Sequence, residues 1–319
     1  MIASSAPGLI ADIGGTNARF ALVAPGEEPR HALVLPCADF AGPVEAAEAY
    51  LARVSPAERP TRAAFAIAAA VTGDAVEITN NAWRFSITET ERRLGVETLR
   101  VVNDFTAVAL CVPLLQPSHR LAIGGGHAVP ATPIAVLGPG TGLGVSALIP
   151  GAGSWHALAT EGGHVTIPAT TDREARVLDW LRGLYDHVSA ERVLSGPGLM
   201  TLYSALCEID GKEPAPYTPD IISTKGLDGS CPTCREVLRM FFAMLGTVTG
   251  NLALTLGARS GVYLAGGILP RMTDAFIASD FRARFEAKGR FRGYLAAIPT
   301  YLITHPYPAF LGLSGLVKG

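Results

Sequence analysis

Charge is sparse in this sequence and close to balance: charged residues make up 17% of it, with 26 Lys and Arg against 28 Asp and Glu and a net charge of -2. There is no stripe of Lys and Arg that could track the phosphates of a polynucleotide, so nucleic acid is excluded as an expected partner. No apolar run approaches the roughly 18 residues that span a bilayer. The start "MIASSAPGLIADIGG" lacks both the basic residues and the long apolar stretch of a secretory leader. A cytoplasmic protein with no membrane partner is expected. Cysteine is scarce too, and the five residues Cys37, Cys111, Cys207, Cys231 and Cys234 are scattered, as befits reduced thiols. The run "CPTC" at Cys231–Cys234 has no second CxxC or His pair to complete a metal site, so a structural pair in a loop before a helix is expected.

Two common phosphate-binding signatures are missing as well. There is no GxxxxGK[ST], and no GxGxxG, because Gly138, Gly140, Gly142 and Gly144 alternate strictly. What is present is an ordinary globular composition: 49% hydrophobic residues over 319 positions, with 35 Gly and 23 Pro in no period. That length exceeds what one core usually organises, so two domains with a cleft between them are expected.

The strongest regularity is a set of apolar runs that each end in small or acidic residues: "LIAD", "AAFAIAAAV", "LRVVND", "PIAVLGPG" and "GVYLAGG". They read as strands opening into turns. Helical stretches lie between them, including "DREARVLDWLRGLYD", with Ala175, Leu178, Leu181 and Tyr185 on one face, and the long apolar run Arg235 to Ala258. Within that run Gly246 and Gly250 would let another backbone pack close. Strands alternating with helices predict an α/β fold. The turns near Asp12 and Thr141 are too short for a helical crossover, so their flanking strands are antiparallel hairpins and the sheets are mixed. Superposing Gly15 and Thr16 on Gly140 and Thr141 also aligns the flanking apolar residues, which hints at a duplicated architecture. The segment Pro113 to Pro133 is rich in Pro, Gly and His and suggests a domain change near residue 111.

Three glycine turns at strand ends, "DIGGTN", "GPGTGLG" and "AGGI", present backbone N–H groups that suit phosphate oxygens. None contains a cationic side chain, so charge neutralisation is expected from backbone dipoles and a metal ion, with Asp12 placed to hold hydrated Mg2+. A second constellation is acidic: Asn103 and Asp104 end one strand, Glu161 and His164 sit in "EGGHV", and Glu191 opens "ERVLSGPG". Carboxylates and a carboxamide bridge the vicinal hydroxyls of sugars, and a carboxylate after a buried strand is a candidate base.

Together "LIADIGGTNARFAL", "VVNDFTAVAL", "GPGTGLGVSAL", "EGGHV", "ERVLSGPGLMTLY", "NLAL" and "GVYLAGGILPR" resemble the bacterial ATP-dependent glucokinases of the hexokinase and actin-like ATPase superfamily. The match runs from Leu9 to Leu313 in unbroken order. It implies a two-domain, hexokinase-type and ribonuclease H-like fold, with mixed sheets flanked by helices and an interdomain cleft. The domains would be residues 1–110 plus 301–319, since the last helix would return to the first domain, and residues 111–300. The resemblance further implies that Ala11, Asp12, Ile13, Gly14, Gly15, Thr16 and Asn17, with Gly138, Gly140, Thr141 and Gly142, hold the ATP phosphates. Gly266 and Gly267 would lie near the adenosine. Asn103, Asp104, Glu161, His164 and Glu191 would contact D-glucose, and Asp104 matches the catalytic base. Closure of the domains over glucose would exclude water.

Ala70 stands where many relatives have Pro, and "EGGHVTIPATTDREARV" has no cysteine, so no structural zinc is expected. The resemblance leans towards a homodimer. Competing readings are a related hexose or aminosugar kinase, or a non-catalytic sugar sensor, which would normally add a DNA-binding module that has no room before Leu9.

Overall fold

The apolar segments on either side of the "DIGGTN" turn fold as the hairpin their short connection demands. In the computed structural model, which describes residues 6–79 and 81–317, strand β1 (Gly8–Ile13) pairs antiparallel with β2 (Asn17–Val23). The edge strand β3 (Arg30–Pro36) follows, antiparallel to β2. Helix α1 (Pro43–Val54) starts on Pro43, where a missing N–H costs nothing. Next come β4 (Arg62–Ile67), a small ribbon of β5 (Ala75–Glu77) and β6 (Arg84–Ser86), and α2 (Ile87–Leu94), capped by the Ser86 hydroxyl. Strand β7 (Thr98–Asn103) then runs straight into α3 (Asp104–Cys111). The sheet order is β3-β2-β1-β4-β7, with β1, β4 and β7 mutually parallel.

The rest of the chain repeats that plan with longer insertions. It contains β8 (Arg120–Ala122), the antiparallel hairpin of β9 (Ile134–Pro139) and β10 (Leu143–Pro150), and β11 (Trp155–Ala159). Helices α4 (Asp172–Arg182), α5 (Gly196–Ile209), α6 (Pro219–Leu227) and α7 (Pro232–Leu256) follow. Strand β12 (Val262–Leu264), the short helices α8 (Thr273–Ile277), α9 (Phe281–Glu286) and α10 (Arg292–Ala296), β13 (Thr300–Ile303) and α11 (Pro308–Ser314) complete it. The second sheet has the order β11-β10-β9-β12-β13-β8. Its first five strands repeat β3-β2-β1-β4-β7, which bears out the hint of duplication.

The chain divides into two units, one of residues up to Gln116 with Ala157–Thr160 and the chain from His305 onward, the other of Pro117–His156 and Glu161–Thr304. The sequence places the breaks at 110/111 and 300/301. The second falls later because β13 pairs with β12 and β8 and so belongs to the second unit's sheet. In the first unit α11 packs on α3, where a Cβ at Gly312 would overlap the carbonyl of Ala107. Lys318 and Gly319 of the expected C-terminal segment lie outside the described residues.

Each unit has its own apolar core. In the first, the fully buried rings of Phe20, Tyr50 and Phe65 pack together. In the second, α7 is the central element. It is long and apolar enough to cross a membrane, contrary to the expectation from the sequence, yet 78% of its most apolar window is buried among the other helices and the sheet. It is therefore a core helix. The close approach expected at its glycines is made by α9: a Cβ at Gly246 would overlap the Phe281 carbonyl, and one at Gly250 would come within 2.6 Å of the Phe285 oxygen. On α4 the buried face is Glu174, Val177, Leu178 and Leu181, and the Glu174 carboxylate is met by the Arg284 guanidinium of α9 at 2.8 Å.

Candidate active site

Three parallel strands of the first unit end together. The register aligns Ile13 of β1 with Ile67 of β4, and Ile67 with Asn103 of β7, so all three strands release the chain at one edge of the sheet. Asp12 and Asp104 therefore sit at the same end of the sheet, with one strand between theirs; Asp12 is in register with Val102, so two strand spacings and a two-residue offset separate the backbones by about 12 Å. The turn after Asp12 is closed by the Gly14 N–H donating to the Asn17 carbonyl at 3.0 Å, and Thr16 is exposed at its apex. The Asn81 side chain donates to the Gly14 carbonyl at 3.3 Å, and the Cys37 N–H to the Thr16 carbonyl at 2.8 Å, which fixes the turn on both sides.

Asp12 is directly opposite Arg19 in the β1–β2 register, and the guanidinium lies 3.3 Å from its Oδ2. Burial pushes the Asp12 carboxyl above the usual carboxylate range, and Arg19 only partly offsets that. The sequence reading missed Arg19 because it lies outside the glycine turn. The signal was the hairpin itself, whose antiparallel register places positions 12 and 19 face to face.

Asn103 has a structural task beside any contact with a sugar. It is the N-cap of α3: its Oδ1 accepts the N–H groups of Phe105 at 2.9 Å and Thr106 at 3.3 Å, and its Nδ2 donates to the Ala69 carbonyl at 3.3 Å. Asp104 is the first residue of that helix, and its Oδ1 accepts the Phe105 N–H at 2.8 Å. The carboxylate is thereby oriented by the same turn that Asn103 caps.

In the second unit the remaining candidates gather around the β9–β10 hairpin. The Gly140 N–H donates to the Gly142 carbonyl at 2.8 Å and closes the turn. The "AGGI" segment lies against it: the Ala265 N–H donates to the Leu137 carbonyl at 2.9 Å, and Gly266, at φ +86°, packs so closely that a Cβ would overlap the Pro139 carbonyl. Only glycine satisfies both demands. Gly138, Gly140, Thr141, Gly142, Gly266 and Gly267 thus form one glycine-lined corner at the ends of two adjacent parallel strands, β9 and β12.

"EGGHV" is strapped to this corner. A Cβ at Gly163 would overlap the Leu143 carbonyl, so the segment needs glycine to lie on β10. The Gly163 carbonyl accepts the Glu191 N–H at 2.9 Å, and the Val165 carbonyl accepts the Ala190 N–H at 2.8 Å. These bonds set the segment that carries Glu161 and His164 beside the backbone of Glu191. Glu191 Oε2 also accepts the Leu143 N–H at 2.8 Å, so a residue expected to serve the sugar also holds the end of the glycine turn. The Gly196 N–H donates to the Gly140 carbonyl at 2.8 Å, and the Ser195 hydroxyl caps α5 beside it.

Among the described residues no group of three or more His, Cys, Asp and Glu is placed to hold a metal. Mg2+ does not need one, since it commonly takes one or two carboxylates together with phosphate oxygens and water. Asp12, a carboxylate that burial leaves short of compensating charge, fits that role.

A family model for glucokinase matches residues 9–318. The chain is 61% identical over 310 residues to a glucokinase of Paramagnetospirillum magneticum, covering 97% of each. Its fold is similar to the crystal structure of a glucokinase from an Antarctic psychrotroph, at TM-score 0.89 and 38% identity over 98% of each chain. It is also similar to a glucokinase from Balamuthia mandrillaris in complex with glucose, at TM-score 0.82 and 20% identity, covering 98% of this chain and 94% of that one. These likenesses, with the duplicated mixed sheets, establish the actin-like ATPase fold. The chain belongs to the glucokinase family and is an enzyme that phosphorylates glucose with ATP.

Proposed function

We propose that Asp104 is the general base of this reaction and that Asn103, Glu161, His164 and Glu191 contact the glucose hydroxyls. The ATP phosphates rest on the Ala11–Asn17 turn and on Gly138, Gly140, Thr141 and Gly142, with Gly266 and Gly267 beside the adenosine. The observation that carries this reading is the register that delivers Asp12 and Asp104 to one sheet edge. A phosphate-side acid and a sugar-side acid at that spacing suit in-line transfer between them.

Phosphoryl transfer has a loose transition state, so the protein contributes chiefly alignment and charge stabilisation. Asp104 accepts the proton of the sugar 6-hydroxyl as the new P–O bond forms. Its place at the start of α3, oriented by the Phe105 N–H, limits its motion during the step. The amides of the glycine turns donate to phosphate oxygens without side chains in the way. Asp12, oriented by the Arg19 guanidinium, would hold Mg2+, which would neutralise phosphate charge when bound. The enzyme acts as a cytoplasmic homodimer, a reading supported by its resemblance to bacterial glucokinases and checked by sedimentation velocity.

The test is Asp104→Asn, assayed by coupled ADP release and by calorimetric glucose binding. Glucose affinity stays within a few fold while kcat falls by roughly 10²- to 10⁴-fold, the usual contribution of a positioned base. A near-normal kcat overturns the assignment and leaves Asp104 a ligand only.

A further inference from the structure

One nucleophilic cluster plays no part in the chemistry above: the Cys231–Cys234 pair at the start of α7. Cys231 is the N-cap residue of that helix, with extended backbone at φ -128° and ψ 110°, and Pro232 occupies the first helical position. Cys234 is then the third helical residue. The two residues stand three apart at the start of one helix, a spacing that sets side chains next to one another over the first turn. Cys234 is accordingly among the groups that hydrogen-bond to the Cys231 sulfur.

The two cysteines are not equivalent. Cys231 is partly exposed and Cys234 is buried. Burial works to raise the Cys231 thiol, yet the Cys234 N–H and thiol, the Thr233 N–H and the Lys225 ammonium together hold it below the ordinary thiol range. Burial first, and then the neighbouring Cys231, push the Cys234 thiol up to about 12. An outward sulfur that ionises readily and an inward one that does not form the division of labour seen when one thiol attacks and the other resolves. The alternative of a metal site has no support, since among the described residues no third metal-binding side chain joins the pair.

We propose that Cys231 and Cys234 are a redox-active dithiol that undergoes exchange with low-molecular-weight disulfides. The Cys231 thiolate attacks one sulfur of the disulfide RSSR, forming a mixed disulfide Cys231–S–SR and expelling RS⁻. Cys234 loses its proton and attacks the Cys231 sulfur, expelling the second RS⁻ and closing an intramolecular disulfide. The net change oxidises two protein thiols and reduces RSSR to two RSH. The ring closes over only two intervening residues, so it removes little entropy from the unfolded chain and remains readily reducible.

The test uses the full chain equilibrated in glutathione buffers from fully reduced to fully oxidised, quenched by alkylation and read by peptide mass spectrometry. The expected result is that the peptide carrying both cysteines loses two hydrogens in one transition. Cys234→Ser accumulates glutathione on Cys231, and Cys231→Ser, which keeps a good N-cap residue, forms no disulfide. In the unaltered protein Cys231 reacts with iodoacetamide roughly tenfold or more faster than Cys37, Cys111, Cys207 or Cys234, a readout independent of any variant's folding. If Cys231 and Cys234 stay fully alkylatable across all buffers, or if glutathione settles on another cysteine, the proposal is overturned; alkylation of all five at one rate does the same.

Discussion

The Glu191 carboxylate accepts the backbone N–H of Leu143 at 2.8 Å, across 48 positions of sequence. One side chain expected among the sugar contacts therefore also holds the far end of the β9–β10 glycine turn. Glu191→Ala removes that acceptor and leaves a part-buried N–H unpaired, a loss of about 1–3 kcal/mol. The expected outcome is a lower melting temperature and a raised KM for ATP as well as for glucose. Glu191→Gln keeps an oxygen acceptor, so it should spare the ATP KM and raise that for glucose. Equal ATP KM values for Ala and wild type would remove the turn from Glu191's duties.

Asn103 offers a separation of stability from turnover. Asn103→Ala deletes the cap of α3, for which losses of about 0.5–2 kcal/mol are usual, and also frees the turn that orients Asp104. Asn103→Asp restores a capping oxygen but not the amide that donates to Ala69. Denaturant melts should show Ala well below wild type with Asp recovering most of the difference, while coupled assays should show lowered kcat in Ala. If Ala melts like wild type, the cap is not formed in solution.

Gly163 tests how closely "EGGHV" must lie on β10. A methyl group at this position meets the Leu143 carbonyl, which as backbone has little freedom to move. Gly163→Ala should cost about 1–3 kcal/mol, as overpacking does, and should lower kcat/KM by displacing Glu161 and His164. Gly293→Ala, where a Cβ meets open space, is the matched control and should behave as wild type.

Acid sensitivity should trace in part to Glu174, which is 3% exposed and bound by Arg284. Burial alone would raise its carboxyl, but the Arg284 hydrogen bond, the Thr170 N–H and the Arg284 charge outweigh that and hold it below the usual carboxylate range. The folded state therefore binds its proton less readily than the unfolded chain. Its contribution is complete above the unfolded carboxylate's range and disappears as pH falls through the folded one. Glu174→Gln leaves Arg284 without its counter-charge and should lose about 3–5 kcal/mol near neutral pH, with the gap to wild type closing as the solution is acidified below the ordinary carboxylate range. A gap that is constant with pH would show that the pair's charge contributes nothing.

Much of this architecture was legible in the letters. The two hairpins followed from turns too short for a crossover, the strands from apolar runs that stop at glycine or acid, and α7 from its length and its two packing glycines. Less visible was anything that depends on register or on distant chain. Arg19 lies outside the motif that draws the eye, and only pairing β1 against β2 sets it on Asp12. The Glu191 to Leu143 bond and the strap between Gly163 and Glu191 join segments that no local periodicity relates. Asn103 could have been read as a cap, since Asn stands directly before a helical run, but its place among candidate sugar contacts hid that role. The late second break between the units had no local signal either, because β13 is assigned by its neighbours in the sheet and not by its composition.

In the proposed reaction Asp104 receives the proton of the glucose 6-hydroxyl. The measurement that tests it most directly is the crystal structure of this chain with glucose and a non-hydrolysable ATP analogue, read for the distance from O6 to the Asp104 carboxylate. Hydrogen-bond reach, about 2.6–3.2 Å, is the expected result, with O6 turned towards the γ-phosphorus. An O6 held by another side chain, with Asp104 on a different hydroxyl, would contradict it.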